Sequence, residues 1–183
     1  DVDFFLMDDR WWRSADNVLD SINGKPNPEK VMIGREQLQW LKNALLESIA
    51  TFKIIAVGSQ VLNPVSPYDK WGRFPVEYQE LMQFLQTNPV SGVMFLTGDR
   101  HHTELRKIDV DGIVIHDLTV SPLTSGVHSV TNEANENLIS GTMISEHNFA
   151  VLEFTGERLS RQLKISIFDK EGSELWSRAV NAK

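Results

Sequence analysis

The sequence predicts an α/β fold, and two observations support this prediction. Apolar runs at 2–7, 53–58 and 92–97 alternate with two segments whose apolar residues recur at helical spacing. Strands that alternate with helices are typical of a parallel sheet. The C-terminal segment differs, because apolar and polar side chains alternate there on either side of the turn signal at 169–172, as in a β-hairpin.

The first half of the chain contains two predicted buried strands and one predicted helix. Val2–Met7 is the first strand, and it leads into a loop that is dense in polar and aromatic residues. Turn residues follow as far as residue 33, and Gly34 precedes the helix. Lys53–Gly58 is the second strand. The helix has one apolar stripe, which consists of Leu38, Leu41, Leu45 and Ile49.

The second half begins with another helix and another strand. Pro75 suits the first turn of a helix, and Asn88-Pro89 ends it. The third strand leads to Gly98, and further strands are expected at 113–118 and 149–154. We treat the whole chain, 1–183, as one portion of a domain. It divides into an α/β part (1–123), a long surface loop rich in Ser, Thr, Asn and Glu (124–147) and C-terminal β strands (148–183).

Composition excludes several classes of protein. A net charge of -7 argues against a broad nucleic-acid-binding surface, because such a surface must be basic. The chain has no cysteine, which excludes disulfides and thiolate ligands. No apolar stretch is long enough to cross a bilayer. The first residue, Asp1, stands directly before a predicted core strand, so we expect the chain to be a fragment or the ordered part of a longer protein.

The main chemical clue is the cluster that follows the third strand. Asp99, His101 and His102 lie within four residues there, after a glycine that permits a tight turn. Carboxylates and imidazoles are common metal ligands, and ligands collect beyond the carboxyl ends of strands in α/β sheets. The alternative is an ordinary polar turn with solvated histidines.

Two more strand ends carry polar residues, and parallel strands would place all three ends at one edge of the sheet. Asp8 and Arg10 follow the first strand, and Ser59 and Gln60 follow the second. Each pair has a simpler explanation. Asp8 and Arg10 could form an ordinary salt bridge, and Gln60 could cap backbone groups. The tryptophans are expected to pack in the core rather than to form stacking platforms.

Five segments carry a recognisable pattern in this order, at 4–13, 34–41, 52–60, 96–102 and 117–125. Together they resemble the C-terminal half of the alkaline phosphatase D branch of the calcineurin-like metallophosphoesterases. The family's usual Gly-His-x-His motif is here Gly98-Asp99-Arg100-His101, with Asp in place of the first His, as in that branch. The resemblance covers nearly all of the chain.

The resemblance implies half of an αββα sandwich and a phosphoric ester hydrolase, acting on monoesters or diesters. It implies two or more divalent or trivalent metal ions in the full-length protein, from among calcium, iron, manganese and zinc, with Asp99 and His101 as ligands. His102 would support the ligands or give a proton to the leaving group. Arg10 would hold a phosphate oxygen in catalysis, and Gln60 would contribute to substrate binding. Export to the periplasm or outside the cell is also implied.

The family's other metal motifs are absent from this sequence. We therefore expect the isolated chain to be inactive, to bind little or no metal, and to expose apolar surface that pairs with the missing N-terminal half or with another copy. One alternative is a non-catalytic module that pairs with another chain. A further alternative is a carbohydrate-binding domain that uses the aromatic side chains of Tyr68, Trp71 and Phe74.

Overall fold

The computed structural model describes residues 1–130 and 133–182. Its longer elements alternate as the sequence predicts until the third parallel strand, after which strands dominate. The helices are α1 (Arg35–Glu47) and α2 (Pro75–Thr87). The strands are β1 (Val2–Leu6), β2 (Ser21–Ile22), β3 (Lys25–Pro26), β4 (Phe52–Ala56), β5 (Val93–Thr97), β6 (Glu104–Val110), β7 (Ile113–Thr119), β8 (Asn148–Thr155), β9 (Gln162–Asp169) and β10 (Glu174–Val180).

The main sheet has five strands in the order β1-β4-β5-β7-β6. β1, β4, β5 and β7 are parallel, and β6 runs antiparallel to β7. The predicted α/β class is confirmed, and β6 is an addition to it. The sequence does not predict β6, because its first residues include Glu104 and Arg106, which are charged yet fully buried.

Both helices pack on one face of the main sheet. Leu38, Leu41 and Leu45 of α1 are buried there, together with Leu81 and Leu85 of α2. The fourth member of the predicted α1 stripe, Ile49, is exposed, because the helix already ends at Glu47 and Ser48 is extended. These leucines and the sheet residues beneath them form the first hydrophobic core.

A second, antiparallel sheet in the order β10-β9-β8 packs on the other face. Alternate residues of β9 point inward, as their period-two pattern predicts, and contact the main sheet. The chain therefore supplies two layers of sheet and one layer of helices. The second core consists chiefly of Phe52, Ile54, Met94, Leu105, Leu118, Leu163, Ile165, Ile167 and Trp176.

β1 was predicted to be a buried strand, and this prediction is wrong. It lies at the edge of the main sheet, so only one side of it has a hydrogen-bonded neighbour. Phe5 is buried, but Phe4 is exposed and Leu6 is 75% exposed. The expectation that the chain exposes apolar surface is met here.

The segment 124–147 was predicted to be a surface loop, and this is correct only in part. Its described residues form no helix or strand, but two of them make backbone bridges beside β6, namely Leu138 and Ile144. Glu133 and Thr142 are buried against the main sheet. Residues 131 and 132 of this segment lie outside the described part of the chain.

The tryptophans divide into two groups. Trp71 and Trp176 are buried, as predicted, whereas Trp11, Trp12 and Trp40 are exposed and not packed in the core. The carbohydrate-binding alternative is wrong, because Trp71 and Phe74 are buried and only Tyr68 of its three aromatic residues is open to solvent. Of the helices that the structure describes, none is both long and apolar enough to cross a membrane.

Candidate active site

Two of the predicted polar clusters meet at the carboxyl edge of the main sheet. β1, β4 and β5 are adjacent and parallel, so the residues that follow them lie side by side. Arg10 follows β1 and Asp99 follows β5, and the Arg10 Nη2 atom is 3.2 Å from the Asp99 Oδ2 atom. Residues that are 89 positions apart in the chain are thus in direct contact at this edge.

Asp99 and His101 both have left-handed backbone conformations, with φ of 66° and 58°. Non-glycine residues rarely adopt this conformation, which costs about 1–3 kcal/mol unless the surrounding structure enforces it, and such strain clusters at functional sites. Here the backbone is held on both sides. Gly98 N donates to Gly58 O at 3.2 Å, and His128 N donates to His101 O at 2.8 Å.

The position of Arg10 is fixed by Asp8. The Asp8 Oδ1 atom accepts hydrogen bonds from the backbone N–H groups of Arg10 and Trp11, both at 2.9 Å. These backbone hydrogen bonds, first from Trp11 and then from Arg10, lower the pKa of the Asp8 carboxyl. Asp8 therefore holds the turn, and the structure gives no Asp8–Arg10 salt bridge among the ion pairs that it describes.

The Arg10 guanidinium lies between two carboxylates and remains accessible. Besides Asp99 it faces Asp69, whose Oδ2 atom is 3.6 Å from Nη1, and its side chain is 53% exposed. Asp69 also pairs with Arg13 at 2.7 Å, so its charge is compensated without Arg10. Arg10 can therefore turn toward an incoming anion without leaving Asp69 unpaired.

A cavity of about 420 Å³ opens beside this group. It contains both carboxylate and imidazole side chains, and Arg10 contacts two of the residues that line it. Such an arrangement can hold an anionic group against a guanidinium while oxygen and nitrogen donors face a cation. The residues that line the cavity are Tyr68, Asp69, Asp99, Arg100, His101 and His128.

His102 lies beneath the cavity and not in it. Its side chain is fully buried, Nδ1 is 3.0 Å from the backbone oxygen of Arg100, and Nε2 is 3.6 Å from Glu104 Oε2. Nε2 makes no hydrogen bond within the described residues. The imidazole therefore fixes the backbone between Asp99 and His101 from behind.

Gln60 is also fully buried, in a polar network under the edge of the sheet. Its amide nitrogen donates to Thr119 Oγ1 at 2.7 Å and to Glu104 Oε1. Arg106 donates to both Glu104 oxygens, at 2.7 and 3.0 Å. Burial opposes the ionisation of Glu104, but His102 and Arg106 outweigh it and lower the pKa of Glu104 to about 2.

A second buried carboxyl supports the loop that follows β4. Asp117 Oδ2 accepts hydrogen bonds from the backbone N–H groups of Val61 and Leu62, both at 2.8 Å, and Oδ1 accepts from Thr97 Oγ1 at 2.9 Å. Burial raises the pKa of Asp117 to about 6, against the effect of these hydrogen bonds. Asp117, which lies in β7, therefore connects the loop after β4 to the end of β5.

Sequence reasoning missed Asp69, Glu104 and Asp117. Asp69 stands in a loop dense in Pro, Tyr and Trp, and no strand end precedes it, so nothing marked it out. Asp117 lies within an apolar run, where a lone carboxylate is a usable signal, because a charged group there must be paired or hydrogen-bonded. Glu104 could have been found in the same way only if β6 had been predicted.

Asp99 and His101 are suitable metal donors, but they are too few. Within the residues that the structure describes, no group of three or more carboxylate or imidazole side chains is arranged to hold an ion. A stable site needs several protein ligands for each metal ion. The described part of the chain therefore does not form a complete metal centre by itself.

Comparison with known proteins identifies relatives that are longer than this chain. Alkaline phosphatase D of Bacillus subtilis (strain 168) is 28% identical over an alignment of 123 residues, and the match covers 59% of this chain and 21% of that protein. The solved structure of PhoD matches 98% of this chain and 42% of its own, with a TM-score of 0.68 and 19% identity. GAP50, the anchor in the inner membrane complex of Plasmodium, matches 81% of this chain and 42% of its own, with a TM-score of 0.58 and 18% identity.

The two structural matches establish the fold alone, because their identity to this chain is low. The fold of the chain is thus that of about two fifths of each matched structure. The family is established by sequence, since the model of the PhoD-like phosphatases matches residues 1–162. The chain therefore belongs to the PhoD-like phosphatase family.

Proposed function

We propose that this chain carries part of the active site of a metal-dependent phosphoric ester hydrolase of the calcineurin-like type. One observation carries the proposal: Asp99 and His101, both in strained backbone conformations, adjoin the accessible guanidinium of Arg10 at the carboxyl edge of the sheet. Membership of the PhoD-like phosphatases and the match to alkaline phosphatase D support a phosphate ester as the substrate.

Asp99 and His101 are proposed as two of the ligands of a larger metal centre. Their oxygen and nitrogen donors suit calcium, iron, manganese or zinc, and we assign no single metal. The remaining ligands would come from the other half of a longer protein or from a second copy. The exposed apolar side chains of β1, Phe4 and Leu6, are the surface that we propose for that contact.

Arg10 is proposed to bind the phosphate group of the substrate. Asp69 keeps its ion pair with Arg13 when Arg10 turns toward the substrate, so the movement leaves no unpaired carboxylate there. A guanidinium gives two parallel hydrogen bonds to phosphate oxygens and stabilises the charge that develops on them. Binding the phosphate in this way involves no proton transfer by Arg10.

His102 and Gln60 are proposed as positioning residues. Both side chains are fully buried, so neither reaches a substrate in the cavity. His102 would hold the strained backbone of residues 99–101 through its contact with the Arg100 carbonyl. Gln60 would connect the loop after β4 to Glu104 and Thr119. Of the two roles open to His102, burial favours support over proton donation.

Substitution of Arg10 tests the proposed phosphate contact. In the full-length natural protein, we expect Arg10→Gln to raise both the KM for a phosphate ester and the inhibition constant of inorganic phosphate by about tenfold or more, since a hydrogen bond to a charged group contributes about 1.5–3 kcal/mol. Arg35→Gln is the control, because Arg35 is exposed on the first turn of α1 and outside the cavity. Unchanged inhibition by phosphate in Arg10→Gln would remove the assignment.

A non-catalytic module is the second candidate, and the small number of metal donors in the described residues favours it. Calorimetric titration of the full-length natural protein with calcium, manganese and zinc, beside the 183-residue chain, separates the two. We expect weak or no binding from the isolated chain under either reading, and saturable binding in the full-length natural protein only if it is an enzyme. Absence of metal from the full-length protein would favour the module. Export from the cytoplasm stays a prediction.

A further inference from the structure

One wall of the cavity is aromatic, and the proposed roles of Arg10, Asp99 and His101 do not use it. Tyr68 and His128 form this wall, with ring centroids 5.5 Å apart and planes at 90°. Tyr68 is 52% exposed, although a phenol ring in a loop could turn inward and bury more of its area. Its exposure beside the candidate site therefore needs an explanation.

The Tyr68 ring packs on Arg100, which forms a buried ion pair with Glu133. The Arg100 guanidinium lies 5.1 Å from the centroid of the ring, in a cation–π contact. Arg100 is itself held by Glu133 at 2.6 Å and by the hydroxyl of Ser66, and both charged side chains are almost completely buried. Burying such a pair costs free energy, because both charges lose their contact with water. The buried pair can in turn hold the ring that packs on it in one position.

His128 connects the wall to the proposed ligand residues. Its backbone N–H donates to the carbonyl of His101 at 2.8 Å, so the two residues keep a fixed separation. The wall thus has a defined position relative to the place where a phosphate would lie against Arg10. The cavity has a volume of about 420 Å³, within the range of roughly 300–1,000 Å³ that is typical of sites for organic ligands.

We propose that Tyr68 and His128 bind the organic group that stays on the phosphate when the leaving group departs, and that they favour diesters in which this group contains a planar aromatic or heterocyclic ring. The proposal rests on the proposed function, because it places the phosphate at Arg10. Stacking on an aromatic side chain is tolerant of the ring's identity, so the wall selects a class of ester and not one compound. Because the planes of the two rings are at 90°, a planar ring that contacts both can lie parallel to only one of them.

Two diesters with the same leaving group test this inference in the full-length natural protein. Bis(p-nitrophenyl) phosphate carries a second ring, and methyl p-nitrophenyl phosphate carries a methyl group in its place. We expect Tyr68→Ala to lower kcat/KM for the first ester by about tenfold, mainly through KM, and to leave the second nearly unchanged. Tyr68→Phe keeps the ring and should keep the preference of the wild type. His128→Ala should reduce the preference in the same direction.

The controls separate this inference from the proposed function. Trp11→Ala removes an exposed aromatic side chain that does not line the cavity, and His147→Ala removes a histidine of the same loop that lies outside the cavity. Both should retain the wild-type preference. If Tyr68→Ala lowered kcat/KM equally for the two esters, or for neither, the proposed role of Tyr68 and His128 would be overturned and the proposed function would stand. A wild-type protein that hydrolyses neither of these diesters nor the monoester p-nitrophenyl phosphate would overturn both.

Discussion

The candidate site depends on a few residues whose backbone and side chains are held in place from below. Asp99 and His101 have left-handed conformations, and hydrogen bonds from His128 to the His101 carbonyl and between His102 and the Arg100 carbonyl flank them. The sequence located the proposed ligands because they follow an apolar run at the carboxyl end of a strand. It could not show which of the two adjacent histidines faces the cavity, because that depends on the positive φ of His101.

Asp117 provides a test of the buried network at the scale of one residue. Asp117→Asn keeps an oxygen for the N–H groups of Val61 and Leu62 and an amide for Thr97, but it removes the charge. Because burial raises the pKa of Asp117 from 3.8 to about 6, the wild type has the full benefit of this group below pH 3.8 and loses it as the pH rises through 6. The variant has no such loss.

We therefore expect the free energy of unfolding of Asp117→Asn to rise, relative to the wild type, by roughly 3 kcal/mol between about pH 4 and about pH 7. Urea denaturation at a series of pH values measures this difference. The neighbouring Glu104 contributes in the opposite sense in both proteins, because its pKa is lowered to about 2. Its contribution to the free energy of unfolding is fully present above its ordinary pKa of 4.5 and is lost as the pH falls through 2. Parallel pH profiles for the two proteins would contradict the assigned burial of the Asp117 charge.

At the scale of elements, the sequence predicted the parallel strands and both helices but missed β6. Parallel strands are apolar throughout, and the helices have leucine stripes, so both give clear periodic signals. β6 buries Glu104 and Arg106, which bond to each other and also to distant parts of the chain. Gln60 donates to Glu104, and Arg106 donates to Asn135 and to the backbone oxygen of Glu133. A pairing of that kind has no local pattern. The isolated bridges of the segment 124–147 escaped for the same reason, because each depends on a partner in or beside β6.

The start of β5 gives a test at this scale. Gly92 has a φ of 72°, and a β carbon there would lie 2.0 Å from the backbone oxygen of Thr51, which cannot easily move because it precedes β4. We expect Gly92→Ala to lower the free energy of unfolding by about 3 kcal/mol or more. Gly112→Ala is the matched control, since φ is 84° but the space is open. We expect Gly112→Ala to lower the free energy of unfolding by only about 1 kcal/mol.

Urea denaturation of both alanine variants gives the comparison. Equal losses in Gly92→Ala and Gly112→Ala would mean that strain alone matters and that the close approach of Gly92 to Thr51 does not. A larger loss at Gly92 would support the register of β5 on β4, and β4 is the strand between β1 and β5, whose ends carry the two clusters that meet.

At the scale of the molecule, the chain contains two packed sheets and a helical layer, but only part of the matched structures. The sequence indicated both the family and the expectation of exposed apolar surface. The antiparallel strands β8, β9 and β10 cover much of the face of the main sheet that lies away from the helices. The β1 edge stays open, with Phe4 and Leu6 exposed to solvent.

The most direct test of the central claim is the rate at which the full-length natural protein hydrolyses bis(p-nitrophenyl) phosphate before and after the change Asp99→Asn. Loss of a proposed ligand should lower kcat/KM by at least about a hundredfold. The control Asp109→Asn, which alters an exposed carboxyl near the far end of β6, should remain close to the wild type. Hydrolysis at the wild-type rate by Asp99→Asn would contradict the account.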